Sequence, residues 1–154
     1  MIVDILSRIA LDTRMEVEQR KVIRPLESLK RIVLPKTDRS FREALLRKGK
    51  VNIIAEIKKA SPSRGVFIED FDYGRLAEQY RAGGAAAISV LTERRHFLGS
   101  FENLEKAKEV SGLPVLCKDF ILDEYQIWEA RGHGADAVLL IASLLSTDRL
   151  RSMS

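Results

Sequence analysis

The chain has 154 residues, 45% hydrophobic and 31% charged, with 26 Lys+Arg against 22 Asp+Glu and a formal net charge of +4. That length supports one hydrophobic core, and the lone Cys117 excludes an internal disulfide. No stretch reads as a signal peptide or an apolar membrane span, so a cytoplasmic setting is expected, and the modest positive charge suits an anionic partner without choosing one.

Residues 1–30 read as helix, with Ile2, Ile5, Leu6 and Ile9 on one stripe ahead of the polar run D-T-R-M-E-V-E-Q-R-K. Pro25 breaks or restarts that helix, Leu26 and Leu29 suggest another short turn, and Pro35 breaks the chain again. A third helix is predicted with Ser40 as N-cap, Glu43 as its capping-box partner and Gly49 as its stop. All of this precedes the first strand, so residues 1–50 are expected to form a helical extension.

Residues 51–58 form an apolar run rich in β-branched side chains, as in a strand buried on both faces of a parallel sheet, and lead into a Ser-Pro-Ser-Arg-Gly turn. Two charges interrupt the run. Side chains alternate along a strand, so Glu56 and Lys58 share a face, roughly 7 Å apart. Buried charges are costly unless paired or used. Spacing alone allows an ordinary ion pair at a strand end.

The pattern then becomes strand, loop, helix, repeated. A helix is predicted over 73–82, stopped by Gly83 and Gly84, then a second strand over 85–91 and the loop T-E-R-R-H-F-L-G-S. A helix over 101–110 precedes a third strand over 114–118, P-V-L-C-K, and the loop D-F-I-L-D. A helix over 124–131 leads to a fourth strand over 135–142, and Ser146 or Thr147 is placed to cap a last helix. Alternating strands and helices call for a parallel sheet with right-handed crossovers, doubly wound or barrel. No Gly-x-Gly-x-x-Gly or Walker loop follows any strand, which disfavours a nucleotide-binding doubly wound fold.

The string E-x-K-x-x-S-P-S at the end of the first strand closely resembles the signature of the indole-3-glycerol phosphate synthase family, the ring-closing decarboxylases of tryptophan biosynthesis. L-T-E-x-x-x-F-x-G after the second strand and C-K-D-F at the third resemble two further family segments, and I-L-x-x-I followed by E-V-x-x-R-K resembles the family's N-terminal extension. The resemblance implies an α/β (β/α)8 TIM barrel, in which polar residues at the C-terminal ends of strands read as catalytic. Residues 51–154 would then be half of that barrel, about four βα units, cut in the helix after the fourth strand.

The resemblance also implies a reaction, conversion of 1-(o-carboxyphenylamino)-1-deoxyribulose 5-phosphate to indole-3-glycerol phosphate with loss of carbon dioxide and water. Lys118 would be the general acid that protonates the ketone oxygen as the ring closes. Lys58 would hold the carboxylate or phosphate and assist dehydration, and Glu56 would orient and charge-balance the lysines. Ser61 would donate to the phosphate, Phe97 would pack on the substrate's aromatic ring, and Phe120 is a second candidate of that kind. No metal or organic cofactor is implied, and the expected partner is a small phosphorylated molecule rather than nucleic acid or membrane.

Several residues carry simpler expectations. His96 and His133 share no ligand spacing with another candidate. Cys117 should pack as a small hydrophobe on the helix-facing side of its strand, opposite Lys118, and Arg94 and Arg95 could steer an anion. The family's general base, its asparagine and its phosphate loops belong to the later strands, so the chain is expected to carry about half of the site. Half a barrel leaves two strand edges unpaired, with Ile54, Leu116 and half of the fourth strand facing water. Self-association or a missing C-terminal half supplied by another chain would cover them. Two alternatives stay open: a barrel lyase that forms a Schiff base through Lys118, and a non-catalytic half-barrel that acts as an assembly module.

Overall fold

A computed structural model of the chain describes residues 4–32 and 39–154. Ile2 of the expected stripe and the expected break at Pro35 lie outside the described residues.

Helix α1 (Ile5–Ile23) starts where the Asp4 carboxylate accepts the Ser7 N–H, and it ends just before Pro25, which caps α2 (Leu26–Lys30). Its buried stripe is Ile9, Thr13 and Val17, at i, i+4 spacing. Ile5 was expected on that stripe but is exposed, because the face that meets the rest of the protein starts one turn later. Val17 and Leu29 pack with Tyr125 in a small second core, flanked by Leu26, Ile32 and Trp128. The third helix is a single turn, α3 (Phe41–Ala44), with Ser40 Oγ accepting the Glu43 N–H. It stops at Leu45 instead of reaching Gly49, for it has no buried residue, and a short helix without a packed face does not propagate.

Strand β1 is Ile54–Ile57, shorter than the predicted 51–58. It lies at the sheet edge and, among the described residues, pairs only with β4 (Ala87–Leu91), from Ile54 opposite Ala87 to Ile57 opposite Val90. Val51 and Ile53 fall outside that ladder and are exposed. The Ser-Pro-Ser-Arg-Gly turn is the tip of a two-stranded hairpin, β2 (Ala60–Ser61) with β3 (Gly65–Val66), which the sequence pattern did not separate from the loop.

Helix α4 (Tyr73–Ala82) follows, capped by Asp72, and Tyr80 donates its hydroxyl to the Glu56 carbonyl at 3.1 Å, tying the helix to β1. Helix α5 (Phe101–Ser111) begins at the Ser100 cap and precedes β5 (Val115–Lys118). Helix α6 (Glu124–Gly132) opens with a capping box between Asp123 and Gln126. β6 is only Ala137–Val138, against the predicted 135–142, because it has one hydrogen-bonded neighbour, and the chain then turns through a 3-10 segment at Ala142–Leu144. Ser146 caps α7 (Thr147–Met153).

The larger sheet has the order β1-β4-β5-β6, all parallel. Consecutive strands of this sheet are neighbours throughout, whereas a doubly wound sheet reverses direction at a switch point. This is the order of a barrel wall. Its outer face carries Ile57, Ile88, Val90, Val115 and Cys117, which pack against Ala77, Phe101, Leu104, Ala107 and Ala130 of the helices to form the main core. Its inner face, by alternation and register, carries Ile54 and Glu56, Ala87, Ser89 and Leu91, Leu116 and Lys118, and Ala137.

That division corrects one expectation. The first strand is not buried on both faces: Ile57 is fully buried beneath the helices, but Ile54, on the inner face, is 42% exposed. Leu116, Ala137, Leu139 and Ile141 are half-buried. Among the described residues no helix is long and apolar enough to cross a membrane.

Candidate active site

Strand alternation brings three charged groups together at the C-terminal edge of the inner face. The Glu56 carboxylate accepts from both lysines, Oε1 from Lys58 Nζ at 2.9 Å and Oε2 from Lys118 Nζ at 2.9 Å. Register explains the meeting: Lys118 pairs with Leu91 on the middle strand, while Glu56 pairs with Ser89 on the same strand two residues lower. Each lysine side chain is about a third exposed, so the trio is shielded on the strand side and open on the other. Two lysines against one glutamate leave the trio with one net positive charge. That is a ready site for an anionic group. Lys58 also lies 5.7 Å from the ring centre of Phe67, just past the hairpin.

Burial would raise the Glu56 carboxyl, but hydrogen bonds from Lys118 and Lys58 and their charges outweigh it and hold the group below its ordinary value of 4.5. A carboxyl depressed by folding adds stability above its unfolded pKa and loses it as the pH falls through its folded value. We therefore expect the stability gap between the wild-type chain and Glu56→Gln to be full at pH 7 and to shrink as the pH falls below 4.5, read from urea midpoints at each pH. A gap that stays constant down to pH 3 would mean that the two ion pairs add nothing to folding.

The trio opens into a concavity of about 90 Å³ lined by Glu56, Lys58, Leu91, Phe97, Lys118, Asp119, Phe120, Leu139 and Ile141. Its polar groups lie on the strand ends, and two aromatic rings wall one side. Phe97 and Phe120 stand 6.0 Å apart between ring centres and are tilted by 39°. A wider, more open hollow of about 730 Å³ lies at the opposite end of the strands, lined by Arg39, Ser40, Phe41, Arg42, Glu43, Leu45, Asp136 and Ala137. It contains none of the candidate residues, and parallel α/β folds place ligands at the C-terminal ends of strands, so the smaller cleft is the stronger candidate.

Five of the six sequence-predicted residues meet in this cleft. The sixth, Ser61, lies in the β2–β3 hairpin and is not among the lining residues. Cys117 packs on the helix side as expected: it is fully buried in the main core, and burial pushes its thiol up to about 12. Arg95 and His96 point away from the cleft toward Asp12, and His133 stacks on Phe101 while hydrogen bonding to Glu105.

Three functional positions went unread in the sequence. Asp119 lines the cleft beside Lys118, half-buried, with Oδ2 accepting from Thr92 Oγ1 at 2.7 Å and Oδ1 from the Phe120 N–H at 2.8 Å. Burial raises its carboxyl, and those two bonds only partly oppose the rise. Glu93 shapes the neighbouring loop, its carboxylate accepting the N–H groups of Arg95, His96 and Phe97 at 3.0, 2.7 and 2.8 Å. The signal for both was present, a carboxylate one or two residues beyond the end of an apolar strand. The third, Asp12, is fixed by a contact 84 residues away and leaves no local signal.

Comparison with known proteins follows the same lines. Residues 6–154 match the family model described as indole-3-glycerol phosphate synthase. A Dehalococcoides mccartyi protein of that name is 48% identical over 153 residues, covering 97% of this chain and 59% of its own length. A Carboxydothermus hydrogenoformans protein of the same name is 60% identical over 117 residues, 74% of this chain and 44% of that protein. One from Chromobacterium violaceum is 44% identical over 154 residues, 97% of this chain and 58% of that protein. The chain spans less than two-thirds of the length of these relatives.

Proposed function

Because the chain belongs to the indole-3-glycerol phosphate synthase family, we propose that its cleft is the N-terminal half of a ring-closing active site for 1-(o-carboxyphenylamino)-1-deoxyribulose 5-phosphate. The observation that carries this proposal is Glu56 bridging Lys58 and Lys118 at 2.9 Å each, beneath the Phe97–Phe120 pair. The rings would hold the substrate's aromatic ring. Lys58, the ammonium nearest the hairpin, would meet its carboxylate or phosphate.

Lys118 would protonate the ketone oxygen as the aromatic carbon attacks the carbonyl carbon, so that a new carbon–carbon bond forms while the C=O π bond becomes a hydroxyl. Loss of carbon dioxide then leaves the bonding electrons in the ring. Departure of the hydroxyl as water, with Lys58 as proton donor and one proton of the methylene carbon beside the nitrogen passing to a base, forms the ring double bond and completes the indole. Glu56 would keep both ammonium groups aimed at the cleft. An ammonium paired with a carboxylate has no lone pair with which to attack a carbonyl, which favours this role for Lys118 over a Schiff base.

The residues at 51–154 would be the barrel portion and those at 1–50 its helical extension. The half-exposed inner face, with β1 and β6 each unpaired along one edge among the described residues, supports a covering partner carrying the remaining strands, either the rest of the same polypeptide or a second chain. The proposed reaction would run in the cytoplasm. Sedimentation equilibrium tests the assembly: mixed with the C-terminal portion of a relative, the chain should form a 1:1 complex, and two species that sediment independently would contradict it. Ring closure by that complex tests the chemistry.

A further inference from the structure

Helix α1 touches both loops that carry the aromatic pair, at two points nine residues apart. Asp12 Oδ1 lies 3.0 Å from Arg95 Nη1 in an ion pair, and its Oδ2 lies 3.0 Å from His96 Nε2. Phe97 is the next residue. Further along the helix, Lys21 Nζ donates to Asp123 Oδ2 at 3.0 Å, three residues beyond Phe120, and Arg20 Nε lies 3.2 Å from Glu129 Oε1 in α6. At 1.5 Å per residue the two anchor points are about 13 Å apart along a rigid rod. The Asp12 and His96 side chains are 15% and 14% exposed, so water competes weakly for their bond.

The loop from Thr92 to Gly99 is stiff within itself. Glu93 gathers three of its backbone N–H groups, the Gly99 N–H returns to the Glu93 carbonyl at 2.8 Å, and Leu98 is held in a left-handed conformation at φ 52°. A unit so closed moves as one body. Its position over the sheet therefore depends on what grips its outside. At its base Thr92 is tied to β5, its hydroxyl donating to Asp119 Oδ2 at 2.7 Å and its N–H to the Lys118 carbonyl at 3.1 Å; toward its tip it is gripped by the Tyr73 hydroxyl, which donates to the Leu98 carbonyl at 3.3 Å, and by Asp12, which holds two consecutive side chains. Of the two grips at the tip, the Asp12 contacts are the shorter, and a carboxylate strengthens them.

We propose that α1 is a strut that sets the spacing of the Phe97 and Phe120 walls, with Asp12 the positioning residue on the Phe97 side. Its consequence for catalysis rests on the function proposed above, but the strut itself can be tested without substrate. The chain would be labelled with 4-fluorophenylalanine, its six phenylalanine resonances assigned by single Phe→Leu replacements, and the spectrum compared with that of Asp12→Ala. The Phe97 and Phe120 resonances should shift while that of Phe101, in the main core, stays in place. Amide exchange at Arg95, His96 and Phe97 should rise by about 10-fold, as expected for losing charge-assisted hydrogen bonds, with exchange in β4 unchanged.

Arg95→Ala combined with His96→Gln removes the same contact from the loop side and should reproduce both changes, even if Asp12→Ala perturbs the helix. Unmoved Phe97 resonances and unchanged exchange in both variants would overturn the proposal and leave Tyr73 and the Thr92 bonds as sufficient tethers. Titration with o-aminobenzoate separates the two claims. If the rings move in Asp12→Ala but neither form binds o-aminobenzoate, the strut stands and the substrate assignment falls.

Discussion

Lys118→Ala is expected to lower ring closure by about 10²–10⁴-fold in the complex of this chain with a C-terminal portion of a relative, the usual range for removing a positioned general acid. The side chain makes no core contact and is about a third exposed, so the variant should fold and assemble like the wild type. Its loss would leave Glu56 paired with Lys58 alone. Lys118→Arg should restore the ion pair but not the rate, since a guanidinium gives up its proton too reluctantly to serve as an acid. The measurement is the growth of indole fluorescence at saturating substrate. Equal rates for wild type and Lys118→Ala would remove Lys118 from the mechanism.

Gly99→Ala should produce the largest loss of stability of any glycine-to-alanine replacement among the described residues. A β-carbon there would stand 2.2 Å from the Leu91 carbonyl oxygen and 2.6 Å from its carbon, both backbone atoms at the end of a central strand. No flexible side chain can yield. The loop must lift off β4 or the strand end must distort, at a cost of about 3 kcal/mol or more, toward the upper end of overpacking penalties. For a chain of this size that corresponds to roughly 6–12 °C in Tm. Gly112→Ala is the contrast: Gly112 caps α5 at φ 66° with open space around it, so the added methyl meets only backbone strain, about 1–2 kcal/mol. Thermal unfolding of the two variants side by side checks the ranking. If Gly112→Ala proved the more damaging, the Thr92–Gly99 loop would not be seated on Leu91 as described.

Helices α4, α5 and α6 were legible in sequence because each has strong punctuation: a capping Asp or Ser at the start, glycine at the end and an apolar face between them. The strands were legible in number and order but not in length. An apolar run shows where a strand can form, whereas its paired extent depends on neighbours, and β1 and β6 each have only one. Alternation placed Glu56 and Lys58 on one face, but the bridge to Lys118 depends on register across β4, which local pattern does not encode. Family motifs pointed to Phe97 and Phe120. Glu93 and Asp119 sat inside those same motifs and were passed over, since the bonds that fix them, to loop N–H groups and to the Thr92 hydroxyl, form only in the folded chain. Asp12 acts wholly through tertiary contact.

The most direct test of the central claim is ring closure by this chain combined with the C-terminal portion of the Dehalococcoides mccartyi relative, with each part also assayed alone. The account predicts that the complex turns over 1-(o-carboxyphenylamino)-1-deoxyribulose 5-phosphate to an indole product while neither part does so by itself, and that the rate falls with Lys118→Ala. A well-folded 1:1 complex with no turnover would contradict the claim that Glu56, Lys58 and Lys118 form half of this active site.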